Sequence, residues 1–327
     1  MTDISSLPLP SFARSYINHL GVINKSPNTQ KAYAQELLLF FNFLCQYISD
    51  FPSSPASLTL DHINQIQHND IEAYLCWALT NRNNGVRALA RKQAVIRSFY
   101  HYLLREDLVS KDITLKLIPI HLGQKAPKAL EPEQIADLVD ILETGSGLSK
   151  GQLKYHTYTE KRDFAIFITF IGTGLRLTEL YSLNLQNIDF NKGCFFVTRK
   201  GNKETNIYFN SEVATAIQDY IKNERQRYLS NKSDALFLSI QGNRMSKRAI
   251  QDLIKKYMTI LKKQGHNTEG FSAHKLRSTF ATLLLRETDN LAIVQDALGH
   301  ADPRTTRIYA KVLDEQLKRA ADYIKFR

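Results

Sequence analysis

Cysteine is scarce. Cys45, Cys76 and Cys194 are the only three in 327 residues, and no two stand at CxxC spacing. That odd, scattered set excludes a disulfide framework and a cysteine-built zinc site. The nine histidines form neither HExxH nor a zinc-spaced pair with partner ligands, so the expected chemistry uses no metal. Long apolar runs are missing too. None approaches the ~20 residues that span a bilayer, and residues 1–20 show no basic head followed by an apolar core. The expectation is a cytosolic chain with no membrane partner. Neither GxxxxGK(S/T) nor GxGxxG occurs, which leaves nucleotide binding without a motif.

Acid is the remaining deficit. Against 43 Lys and Arg stand 32 Asp and Glu, a formal charge of +11, and that excess points to an anionic partner. Hydrophobic residues at 43% and charged residues at 23% exclude wholesale disorder. At ~100 to 200 residues per domain, the length predicts two domains.

The first domain, residues 1–109, is expected to be all helical. Ser26-Pro27 reads as the cap and first turn of a long helix carrying Tyr33, Leu37, Phe40, Phe41 and Leu44 at helical spacing. An acid-capped helix is predicted over 70–79, and Val86, Leu89, Ile96, Tyr100 and Leu103 predict another. Between residues 73 and 105 there is no acid at all, only Arg82, Arg87, Arg91, Lys92, Arg97 and Arg105. Arg87, Arg91, Lys92 and Arg97 are the candidate phosphate contacts, although such a run also suits a solvated face. Over residues 110–129 the periodicity fades, and Lys111, Lys116, Lys125 and Lys128 surround Pro119, Gly123 and Pro127. This stretch reads as a basic interdomain linker.

The second domain, residues 130–327, mixes helix with a small sheet. Glu131-Pro132 opens a helix through 142, residues 144–150 form a Gly/Ser loop, and the apolar run 164–171 reads as a buried helix. Residues 194–198 and 206–209 read as strands joined through Lys200-Gly201-Asn202, with 235–239 as a third candidate strand. Ser246 caps a helix whose apolar face is Ile250, Leu253, Ile254, Tyr257 and Leu261. The fold class is therefore mainly α with a small β-sheet in the second domain.

Several polar residues of this domain are candidates for chemistry. In His274-Lys275-Leu276-Arg277, His274 and Arg277 share a helix face opposite Leu276, Phe280, Leu283 and Leu284, so the pair is expected to face a substrate. Leu298-Gly299 ends one helix and Asp302-Pro303 starts the next, with His300 in the link and Tyr309 beyond it. Gly172-Thr173-Gly174 allows a backbone bend that sets Arg176 in a cleft, where Glu179 can hold its guanidinium. Each of these residues alone fits an ordinary surface or core position. The ordered set carries the signal.

That set resembles the tyrosine recombinase (phage integrase) family. Residues 172–190 are similar to its first box, with Arg176 in the place of the first catalytic arginine and Glu179 in that of its supporting acid. His274 through Arg277, Leu298-Gly299-His300 and Tyr309 are similar to its second box, and Lys200 stands at the catalytic position of its hairpin turn. Residues 26–44 and 86–104 resemble more loosely the family's helical, SAM-like core-binding domain, so the resemblance covers nearly the whole chain. Two departures stand out. Ser278 follows Arg277 where many members have His, and residues 145–160 look like an insertion similar to that of some Xer-type recombinases that act alone.

The resemblance implies a helical core-binding domain and an α+β catalytic domain clamping DNA, in the cytoplasm at the nucleoid. It implies attack by Tyr309 on a phosphodiester, giving a 3′-phosphotyrosine and a free 5′-hydroxyl. Arg176 and Arg277 would hold the non-bridging oxygens, Lys200 would protonate the leaving oxygen, His274 would carry the tyrosine's proton, and His300 would hydrogen-bond the phosphate. No cofactor is implied, since the phosphotyrosine bond conserves the energy for rejoining. The implied partners are double-stranded DNA recombination sites and a homotetramer on two sites, with an accessory directionality or DNA-bending protein as a further candidate. Val312, Leu313, Leu317, Ala320 and Ile324 would form a tail docking on the next protomer, though the same spacing fits a helix packed on its own domain. The biological task is chromosome dimer resolution or mobile-element integration and excision. The alternatives are a topoisomerase-like relaxing enzyme and a non-cleaving sequence-specific regulator, which has no use for the nucleophile.

Overall fold

The computed structural model describes residues 4–123, 127–199, 203–231, 233–299 and 307–309, and the chain divides into two units between Gly123 and Gln124. In the first unit, α1 (Ser11–Val22), α2 (Pro27–Tyr47), α4 (His68–Thr80) and α5 (Val86–Arg105) pack together, with short α3 (Leu60–Gln65) between them. Ser26 Oγ accepts the Thr29 N–H at 3.2 Å and Pro27 fills the first turn, as the sequence predicts for α2. Asp70 accepts the Gln67 N–H at 2.8 Å and so opens α4. The helices meet on aromatic rings. Phe99 lies 5.4 Å from Tyr16, 5.8 Å from Phe41 and 6.2 Å from Phe12, centroid to centroid.

One charge cluster crosses this core. Glu36 of α2 is buried and accepts Lys92 Nζ at 2.6 Å and Arg91 Nη2 at 2.5 Å. The far side of α5 is clasped by the segment C-terminal to it: Ile113 and Leu117 are buried, Gln93 bonds the Ile118 carbonyl at 2.8 Å and the Ile120 N–H at 3.2 Å, and Arg97 bonds the Leu117 carbonyl. Residues 113–120, expected to be linker, are thus fastened to the first unit through buried Ile113 and Leu117 and the bonds to Gln93 and Arg97, while Leu115 and Ile118 stay exposed. At the other end Leu130 is buried in the second core, its N–H held by Thr279 Oγ1 at 2.9 Å. Lys125 lies outside the described residues.

The second unit is built on α7 (Lys150–Thr173), whose Ala165, Ile166, Phe167 and Phe170 are wholly buried against α6 (Pro132–Thr144), α9 (Ser211–Asn223), α10 (Lys247–Lys263) and α11 (Ala273–Thr288). Ser149 caps α7 well before the apolar run, so residues 150–160 of the apparent insertion continue this helix. The short α8 (Leu177–Ser182) and α12 (Leu291–Leu298) complete the helices needed for the site. The sheet is antiparallel, in the order β1 (Ile188–Asp189), β2 (Cys194–Arg199), β3 (Lys203–Tyr208), with Phe195 opposite Ile207 and Arg199 opposite Lys203. The third strand expected over 235–239 does not form; only isolated bridges join Ala235 to Asn184 and Leu238 to Arg244. Backbone bonds join residues 234–239 to Leu183, Leu185, Asn243 and Met245, and guanidinium groups take further carbonyls, Arg225 binding those of Ser233, Ala235 and Leu236 and Arg162 that of Leu238. Among the described residues, no helix is long and apolar enough to cross a membrane.

Candidate active site

Helix α7 ends at Gly174 in the left-handed conformation, φ 63°, and a Cβ at this position would stand 2.3 Å from Phe280 Cδ1. Glycine meets both demands, the positive φ and the close approach. The chain then turns into α8 with Arg176 at its N-cap. Glu179 folds back on it, accepting the Arg176 N–H at 2.8 Å and its Nη1 at 2.7 Å. Burial alone would raise the pKa of Glu179. The Arg176 N–H and guanidinium, with Arg199 beside them, outweigh burial and hold it below the usual carboxylate value.

Arg277 approaches the same carboxylate from α11, with Nη1 3.9 Å from Glu179 Oε2. The spacing predicts that Arg277 and His274 face outward together, but only His274 is exposed, whereas Arg277 is 3% exposed. Its guanidinium bonds the Gly174 carbonyl at 2.5 Å and that of Leu298, two carbonyls that helix C-termini leave open, and keeps further N–H donors. Burial and the charge of Arg176 pull Arg277 down to about 10, so it stays protonated at neutral pH. The pKa of His274 is lowered by desolvation and by the positive charges of Lys275, Arg277 and Arg176, which favours the neutral ring.

Tyr309 lies in a 3-10 turn, Arg307–Tyr309, and is buried against Ala281, Leu285, Val294 and Leu298. Its hydroxyl donates to Ser278 Oγ at 3.5 Å. Burial raises its pKa against the opposing pull of Ser278 and Arg277. The structure thus brings Arg176, Glu179, Arg277 and Tyr309 into one neighbourhood from three separate segments of a single chain. Lys200 and the turn it opens, His300, the helix start at Asp302-Pro303 and the tail from residue 310 lie outside the described residues.

A third arginine in this neighbourhood is absent from the sequence expectations. Arg199, the last residue of β2, places Nε 3.3 Å from Glu179 Oε1, with 10% of its side chain exposed. The signal was present: Phe195, Val197 and Arg199 alternate onto one strand face, and the first two are buried. Of the candidate phosphate contacts, Arg87 is exposed, and Arg91 keeps 63% of its side chain exposed beside Glu36. Lys92 is corrected to a core residue, 4% exposed, since an amine in the interior needs the Glu36 carboxylate beside it. Arg97 is half-buried and holds the Leu117 carbonyl.

Residues 128–316 match the Phage integrase family, and residues 13–107 match the phage integrase N-terminal SAM-like domain. The chain belongs to the phage integrase family. It is a tyrosine recombinase, 35% identical to tyrosine recombinase XerC of Caldanaerobacter subterraneus subsp. tengcongensis over 98% of this chain and 89% of that one. Tyrosine recombinase XerD of Pseudomonas putida is 31% identical, over 90% and 89% of the two chains. The fold is similar to that of XerH recombinase in a post-cleavage complex with palindromic difH substrate, at TM-score 0.71, 21% identity, 92% of this chain and 81% of that one. A lambda integrase dimer bound to a core site is similar at TM-score 0.65 and 13% identity, over 91% and 94%. The expected fold class, mainly α with a small sheet in the catalytic domain, agrees with these integrase folds.

Proposed function

We propose that this recombinase cleaves and rejoins double-stranded DNA at a specific site through a 3′-phosphotyrosine on Tyr309. The observation that supports it most is the convergence of Arg176, Arg277 and Tyr309 on Glu179 and Ser278. Arg176 and Arg277 grip the two non-bridging oxygens of the scissile phosphate, as forked guanidiniums do. Among the described residues, Glu179 pairs with Arg176, Arg199 and Arg277, and against its single negative charge Arg176 and Arg277 keep the pocket positive for the five-coordinate phosphorus. The Tyr309 oxygen bonds to phosphorus as the bond to the 5′ oxygen breaks. Lys200 supplies the proton that oxygen takes, neutral His274 receives the tyrosine's proton, and His300 bonds the phosphate. The stored bond makes ATP unnecessary.

Arg87 and Arg91 contact the DNA backbone, with the exposed face of α5 as their platform. Strand exchange between two duplexes calls for a homotetramer, with the tail after Tyr309 joining protomers. Chromosome dimer resolution and mobile-element integration use the same chemistry. One experiment separates them: cells expressing the wild type or Tyr309→Phe are denatured, and DNA covalently bound to the protein is recovered and sequenced. Reads at one discrete locus, for the wild type only, support the reading, with element ends or a replication-terminus locus naming the task. Specific DNA protection without covalent capture turns the reading to the non-cleaving regulator.

A further inference from the structure

Arg199 reaches two separate elements of the site at once. Its Nε faces Glu179 at 3.3 Å, while its Nη2 reaches the Ala297 carbonyl at 3.5 Å, near the C-terminus of α12. Gly299 caps that helix at φ 59°, and a Cβ there would stand 1.5 Å from Arg199 Nη1, so the guanidinium lies against the bare backbone of the turn. The Leu298 carbonyl between these contacts is held by Arg277. With 10% of its side chain exposed, Arg199 has its fork turned inward, its Nε in ion-pair range of Glu179, where two guanidiniums meet the negative end of one helix.

The geometry points to Arg199 as a positioning residue of the cleavage site: it ties the end of β2 to both the Arg176–Glu179 pair and the α12 terminus, and so fixes the point from which the next residue, Lys200, departs. This inference rests on the cleavage reading above. Its consequence is chemical. A residue that acts through the general acid matters for protonating the 5′ oxygen, and it becomes dispensable when the leaving atom needs no proton.

The test uses the full chain and a duplex of the locus recovered by covalent capture, made with an ordinary scissile phosphate and with a bridging 5′ sulfur. In both, the Tyr309 oxygen bonds to phosphorus; the 5′ oxygen leaves as a protonated hydroxyl, whereas sulfur leaves as a thiolate. Arg199→Ala is expected to bind the duplex like the wild type, to cleave the ordinary phosphate ~10- to 100-fold more slowly, and to recover to within about threefold on the sulfur substrate. Arg199→Lys keeps the charge without the fork and is expected to fall between. Thermal melting checks that both variants fold. An unchanged rate on the ordinary phosphate, or an equal deficit on both substrates in both variants, overturns the inference. Failure of the wild type itself to cleave either substrate overturns the cleavage reading and this inference with it.

Discussion

The Tyr309 hydroxyl donates to Ser278 Oγ, and Ser278 Oγ donates in turn to the His274 carbonyl at 3.1 Å, so the proposed nucleophile is anchored to the helix that carries Arg277. At 3.5 Å the first of these bonds is long and weak. Ser278→Ala is therefore expected to change covalent-complex formation by less than ~10-fold, the range of one net hydrogen bond. Single-turnover trapping checks this, and a collapse to the level of Tyr309→Phe would assign Ser278 a chemical role.

Glu179 joins three arginines. Glu179→Gln keeps hydrogen bonding to Arg176 but removes the charge that holds the cluster, and is expected to slow cleavage ~10- to 100-fold. DNA binding is expected to hold or strengthen, because the pocket becomes more positive; weaker binding with normal cleavage contradicts the assignment. The sign with pH comes from the depressed pKa of Glu179. Its contribution to stability is full above the usual carboxylate range and is lost as pH falls toward its lower folded value, so wild type and variant should converge in stability at acid pH.

Gly174→Ala tests the bend that delivers Arg176. The new Cβ meets the Phe280 ring in a left-handed backbone, and a destabilisation of about 2 kcal/mol or more is expected. Thermal melting reads it directly. A melting point equal to wild type would show that the bend tolerates a side chain.

Two basic residues of α5 should part company. Lys92→Ala strips an interior partner from Glu36 and should cost up to about 3 kcal/mol of stability. Arg87→Ala should leave stability alone and flatten the salt dependence of DNA binding by about one unit of slope, the value of one phosphate contact. Reversal of this pattern in paired melting and binding titrations would return Lys92 to the DNA surface.

Much of the fold was legible from spacing and turn chemistry. The Ser26-Pro27 start of α2, the β2–β3 pairing and the Gly299 cap obey local rules that tertiary packing leaves intact. Two of the misreadings share one cause, long polar side chains that find partners inside. Lys92 looks like a surface base until Glu36 is placed opposite it, and Arg277 looks outward-facing until the helix ends at Gly174 and Leu298 offer it carbonyls. Residues 235–239 do make backbone bonds to Leu183, Asn243 and Met245, as an extended stretch should, but pair only through isolated bridges and add no strand to the sheet. Arg199 was readable from strand alternation, but its partner Glu179 comes from a different element.

The central claim is that Tyr309 becomes joined to DNA. The most direct measurement traps the protein on a nicked duplex of its captured locus, digests both, and maps the nucleotide-bearing peptide by mass spectrometry. The account predicts a 3′-phosphonucleotide on the peptide containing Tyr309, absent from Tyr309→Phe. An adduct on another of the 15 tyrosines, or one undiminished in that variant, would contradict it.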